Sequence, residues 1–260
     1  MGDTRSSRLP DATQRTRAVI GEVLALWLVT LVVIRLVVQL SDGLQSIWPP
    51  LEIVLAIVPI LFMYGPVWLC NWRGVDSYDY PLALPAFNDR EAWRGPLLLS
   101  AGVIAFVTVP WLLGYHWWQT TLFGHELSCG QTSNWFVSCT WPADGMLKLI
   151  GYHLFFVAIP EEFFYRGYIQ SRLDEIFEPT WKLFGATIGP SLLITSFIFA
   201  IGHSVVVVQW WHIFIFVPSL VFGWMRARTD GIVAGALFHA WCNITVSTLD
   251  AWYGLTVPPG

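Results

Sequence analysis

The chain contains about seven apolar stretches, each close to the 20 or so residues that a helix needs to cross a bilayer. They run from Ala18 to Leu40, Leu51 to Cys70, Pro96 to Trp117, Gly145 to Tyr165, Leu183 to His203, Trp211 to Met225 and Gly231 to Leu249. Their apolar content is too continuous for the alternating strands of a membrane barrel. Only 12% of the 260 residues are charged, against about 25% in an ordinary soluble domain. That scarcity excludes a soluble fold, a coiled coil and a disordered chain. A net charge of −4 and the lack of a basic stripe exclude a nucleic-acid partner. The expectation is an all-α fold: a polytopic membrane bundle of about seven transmembrane helices.

The basic residues orient that bundle. Arg5, Arg8, Arg15 and Arg17 precede the first span, and Arg73, Arg90 and Arg94 lie between the second and third. Arg166, Arg172 and Lys182 lie between the fourth and fifth, and Arg226 and Arg228 between the sixth and seventh. The alternate loops, near 41–50, 119–144, 204–210 and 250–260, carry no Lys or Arg. This alternation places the amino terminus in the cytoplasm and the carboxyl terminus outside. The first span is too long for a cleaved signal peptide and reads as a retained helix. Residues 1–17 form a cytoplasmic tail, 18–144 the amino-terminal helices with an outer cysteine loop, 145–249 a catalytic helical core and 250–260 an outer tail, all one membrane domain. Cys129 and Cys139 share the outer loop, where a disulfide between them is expected. Cys70 and Cys242 sit in or beside spans and are expected to be packed as small apolar residues. The stretch from Asn71 to Arg94 reads as an ordered inner loop. No GxxxxGK[ST], HExxH or GxSxG pattern occurs, which removes P-loop, zincin and nucleophile-elbow chemistry.

Ionisable groups at membrane depth carry the functional signal, because burying them is costly. Glu161 and Glu162 adjoin Pro160, and Arg166 follows Glu162 by four residues. Residues four apart share a helix face, so Glu162 pairs with Arg166, while Glu161 is turned about 100° away and left free for chemistry. Pro160 removes a backbone hydrogen bond and is expected to kink the helix. His203 lies in an apolar helix four residues after Phe199, and His239 and Asn243 share a face by the same spacing. At about 1.5 Å per residue, Glu161, His203 and His239 share a layer near mid-bilayer only if the fourth helix runs on to about Leu173 and the fifth begins near Pro190. A carboxylate beside a histidine can activate water as a general base. A second histidine and an asparagine can donate to a developing oxyanion. Such a set hydrolyses a peptide bond without a covalent intermediate and demands no metal.

Glu161-Glu162-x-x-x-Arg166, Phe199-x-x-x-His203 and His239-x-x-x-Asn243 resemble, in order and spacing, the three motifs of the CAAX prenyl protease and bacteriocin-processing family of glutamic intramembrane endopeptidases. The resemblance covers about Gly145 to Leu249. It implies Glu161 as the water-activating base with His203 beside it, His239 and Asn243 as oxyanion donors, and Glu162 with Arg166 as a supporting pair. It implies a membrane-anchored or lipid-modified protein as substrate and no cofactor. Bacterial relatives of this kind include myxosortase-like cutters of sorting signals, and the outer cysteine loop looks bacterial, which suggests an inner-membrane protein. Other readings are a proton-coupled transporter, which would show inverted repeats that this chain lacks, and a non-catalytic immunity or scaffold protein. A third is a zinc enzyme ligated by Glu161, His203 and His239.

Overall fold

The computed structural model describes residues 12–44, 56–127 and 143–255. Among them stand seven helical columns and one short hairpin. Helix α1 spans Ala12–Leu44 and so begins before Ala18, the expected start. Helix α2 spans Ile57–Arg73 and stops at Gly74, whose φ of 68° lets its N–H turn back onto the carbonyls of Cys70 and Asn71. Helix α3 spans Arg90–Trp117 and widens into a π turn over Trp118–Leu122. Its N-cap is Asp89, whose carboxylate accepts the Ala92 N–H at 3.1 Å, so it starts at Arg90 rather than Pro96. Two segments, Ala12–Leu40 and Arg90–Leu122, are long and apolar enough to cross a membrane by themselves.

The fourth column, α4, is one unbroken helix of mixed pitch. It is α-helical over Ala143–Gly151, π-helical over Tyr152–Ala158, α-helical over Ile159–Glu162, π-helical again over Phe163–Gln170 and α-helical over Ser171–Asp174. It therefore continues past Tyr165, as the shared-layer condition demanded. Pro160 does not break it. A proline has no N–H for the preceding turn and crowds a carbonyl there. The wider turns on either side accommodate it, and π turns of this kind mark functional sites.

The fifth span does not begin at Leu183. Residues Trp181–Leu183 (β1) and Ala186–Ile188 (β2) pair as an antiparallel hairpin, an addition to the all-α expectation. Phe184 and Gly185 turn it with φ of 44° and 78°. Helix α5 then spans Pro190–Val206, with proline in its first turn. A 3₁₀ stretch, Trp210–Ile215, replaces the expected start of the sixth helix, which spans Phe216–Thr229 (α6). Helix α7 spans Val233–Trp252. Cys70 and Cys242 are buried free thiols, as expected. Cys129 and Cys139, and with them the expected disulfide, lie outside the described residues.

The ends of the bundle differ in chemistry. At the end rich in arginine, Glu22 of α1 accepts from Arg172 at 3.0 and 3.1 Å, from Tyr168 at 2.5 Å and from Arg73 at 3.4 Å. The stretch from Asn71 to Arg94 is ordered there. Leu82 is buried against Gly167, and Tyr80 donates to Glu175 at 2.9 Å. Burial raises the Tyr80 phenol above its ordinary range, so it stays a donor. At the opposite end the rings of Trp118, Trp210 and Phe214 gather at 5.9 to 6.1 Å, the aromatic character of a bilayer interface.

Candidate active site

The site is built where α4, α5, α6 and α7 meet. Glu162 and Arg166 are fully buried, an arrangement that no isolated ion tolerates in an apolar interior. They neutralise each other across one helical turn, with Arg166 Nη1 at 2.9 Å from Glu162 Oε1. Arg166 Nη2 donates to Ser219 Oγ at 2.6 Å and to the Ser219 carbonyl at 3.3 Å. The guanidinium also lies over Phe199, 4.2 Å from the ring centroid, and near Phe222 at 5.0 Å.

Glu162 has a second task. Its Oε1 lies 3.0 Å from Nδ1 of His239. A carboxylate accepts, so His239 donates through Nδ1 and turns Nε2 the other way. The His239 ring is clamped by stacking on Phe222 at 4.7 Å and by an edge contact with Phe199 at 5.8 Å. His203 is oriented by the same logic: Nδ1 lies 3.0 Å from the carbonyl oxygen of Phe199, which can only accept. Both histidines thus present Nε2 towards Glu161. Glu161 Oε2 is 3.7 Å from His203 Nε2 and 3.8 Å from His239 Nε2. These distances exceed a direct hydrogen bond. Glu161 Oε2 is buried and has no hydrogen-bond partner among the described residues.

Of the residues singled out from sequence, Glu161, Glu162, Arg166, His203 and His239 therefore converge. Glu161 and Glu162 divide as the helix geometry indicated, one facing the histidines alone and the other locked to Arg166. Asn243 follows His239 by one turn of α7, half-buried. Ser219, Phe222 and Glu22 were missed. Glu22 stands inside an apolar span, where an acid marks a partner, and that signal was readable. Ser219 gives no signal beyond a hydroxyl in an apolar helix. His153 of α4 also escaped notice; its Nε2 lies 3.3 Å from Ser247 Oγ of α7, two turns beyond His239.

A cavity of about 420 Å³ adjoins the site. Glu161 and His203 stand in its wall, which is otherwise almost wholly apolar. Among the described residues no group of three or more His, Cys, Asp or Glu side chains has the arrangement of a metal site.

Fold and site together define a helical membrane protein with a buried acid–histidine centre. Residues 144–245 match the family model of the Rce1-like, type II CAAX prenyl endopeptidases. Over this stretch, which holds all three motifs, the likeness to the CAAX prenyl protease and bacteriocin-processing family is borne out, and that family is one of proteases. Comparison with curated proteins and with solved structures gives no match.

Proposed function

We propose that this chain is an intramembrane glutamic endopeptidase of about seven transmembrane helices. It cuts a membrane-anchored or lipid-modified protein in a bacterial inner membrane, with the amino terminus cytoplasmic and the carboxyl terminus outside. One observation carries the reading: Glu161 faces two histidine Nε2 atoms at 3.7 and 3.8 Å, while Glu162 is committed to Arg166 and His239.

The Glu161 and His203 atoms are 3.7 Å apart, so a water set to one side of the line joining them can lie near 3 Å from both and be activated there. Glu161 takes one proton and the hydroxide attacks the peptide carbonyl. His203, its Nδ1–H given to Phe199, accepts the water's second hydrogen through Nε2. His239 gives its Nδ1–H to Glu162, so Nε2 can donate to the oxyanion only when the ring carries both protons. Arg166 and doubly protonated His239 then balance Glu161 and Glu162 to zero net charge, which suits a buried cluster. Asn243 supplies a second donor. The proton held by Glu161 passes to the departing amine, and no covalent intermediate forms.

The direct test compares cells making the wild-type chain with cells making Glu161→Gln, by mass spectrometry of membrane-protein termini. The expected result is a set of cut termini that vanishes in the variant while the protein still inserts at normal yield. An unchanged set would remove Glu161 from the mechanism. Two histidines and one carboxylate are donor types that zinc takes, although among the described residues they do not have the arrangement of a metal site. Cleavage lost with a chelator and restored by zinc would favour that chemistry over the glutamic one.

A further inference from the structure

We propose that the substrate reaches Glu161 from the outer half of the membrane, so that the segment cut is an apolar, membrane-anchored stretch presented on the extracytoplasmic side. This rests on the peptidase reading of Glu161 and on the orientation given by the basic residues.

The direction of each helix fixes where the cavity lies. With the amino terminus inside, α1 runs outwards, and it lines the cavity through Leu31, Ile34 and Val38, all in its second half. Helix α2 returns inwards and contributes Val58 and Pro59, in its first turn. Helix α4 also runs inwards, and its wall residues Tyr152 and Phe156 precede Glu161. Helix α5 runs outwards, and Val206 and Val207 follow His203. Two helices that run outwards and two that run inwards agree: the space extends from Glu161 towards the outer face. Arg35, an arginine inside an apolar helix, secures this wall by donating to the Val206 carbonyl at 2.9 Å.

The opposite direction is closed beside Glu161, and the cavity of about 520 Å³ at the arginine-rich end, between Arg73, Tyr80, Ser171, Glu175 and Arg226, does not have Glu161 in its wall. Tyr165 stands one turn inward of Glu161, and its ring packs edge-on against Phe164 at 5.0 Å and Phe199 at 4.8 Å. Phe62 closes on Phe164 at 5.0 Å. Beyond these rings come the Glu22, Arg73, Tyr168 and Arg172 network and Leu82 seated on Gly167. A cytoplasmic tail would have to displace this packing, whereas a segment in the outer leaflet meets an apolar space that ends at the catalytic carboxylate. The apolar wall selects apolar side chains beside the scissile bond.

The test uses the full chain with one added cysteine, Val207→Cys, and a membrane-impermeant maleimide. Intact spheroplasts are compared with inverted vesicles, and the unsubstituted chain supplies the background. Val207 lines the cavity and is about half exposed, so it is open to reagent. The expected result is labelling in spheroplasts at least tenfold above inverted vesicles, with the reverse for Asp79→Cys in the inner loop. Ile34→Cys serves if Val207→Cys does not insert. Labelling of the cavity cysteine from the inner side only, equally from both sides, or from neither overturns the proposal. In a second arm, cut sites that depend on Glu161 should map to extracytoplasmic segments, and cuts in cytoplasmic tails overturn it. The labelling needs no cleavage, so its failure is separate from any failure of the peptidase reading.

Discussion

Glu162 and Glu161 are neighbours in sequence with opposite duties, and substitutions should separate them. Arg166→Ala leaves Glu162 without its ion-pair partner in a fully buried position. Removing one partner of such a pair costs about 3–5 kcal/mol. Thermal unfolding in detergent should register that loss, together with a fall in yield, whereas Glu161→Gln should unfold near the wild-type temperature and fail only in cleavage. Equal melting of Arg166→Ala and wild type would show that the pair does not hold the core. Gly235 of α7 makes a second residue-scale test. A Cβ there would stand 2.9 Å from Glu162 Oε2 and 3.4 Å from the Phe222 carbonyl. Overpacking of this kind costs about 1–3 kcal/mol. Gly235→Ala should therefore lose stability and shift Glu162 against His239, and a full-activity, full-stability variant would contradict the close approach.

The elements that surprise are the ones whose cause is non-local. The hairpin turn at Phe184-Gly185 lacks the Asn-Gly or Asp-Gly signature that marks two-residue turns, so a strand pair inside an apolar run was hidden. Gly185 is required there: its φ is 78°, and a Cβ would meet Arg228 Nε at 2.8 Å. Gly185→Val should cost about 1–2 kcal/mol from the left-handed backbone alone, read as a lower unfolding midpoint with the site intact. Helix α5 poses a different case. Its last carbonyls belong to the turn that carries His203, and Arg35 satisfies the one at Val206. Arg35→Gln should loosen that end, lowering kcat more than it raises KM, and an unchanged kcat would confine Arg35 to solubility or insertion.

For the molecule as a whole, orientation is the property that fusions can read directly. A reporter that is active only outside the cytoplasm should be active when fused after Leu255 and silent when fused after Glu175, and the reverse pattern would invert the bundle. Much of this architecture was legible in the chain. Apolar length gave helices, and the four-residue spacings of Glu162 with Arg166 and of His239 with Asn243 gave shared faces, because a helix converts spacing into geometry with no outside help. The sequence by itself therefore determined which residues could act and how the two glutamates divide. Tertiary structure alone decided that His239 is aimed by Glu162, that Ser219 and two phenylalanine rings hold Arg166, and that the cavity opens on one side of Glu161. Those contacts join helices far apart in the chain, and helix periodicity carries no information about which face of one helix meets which face of another.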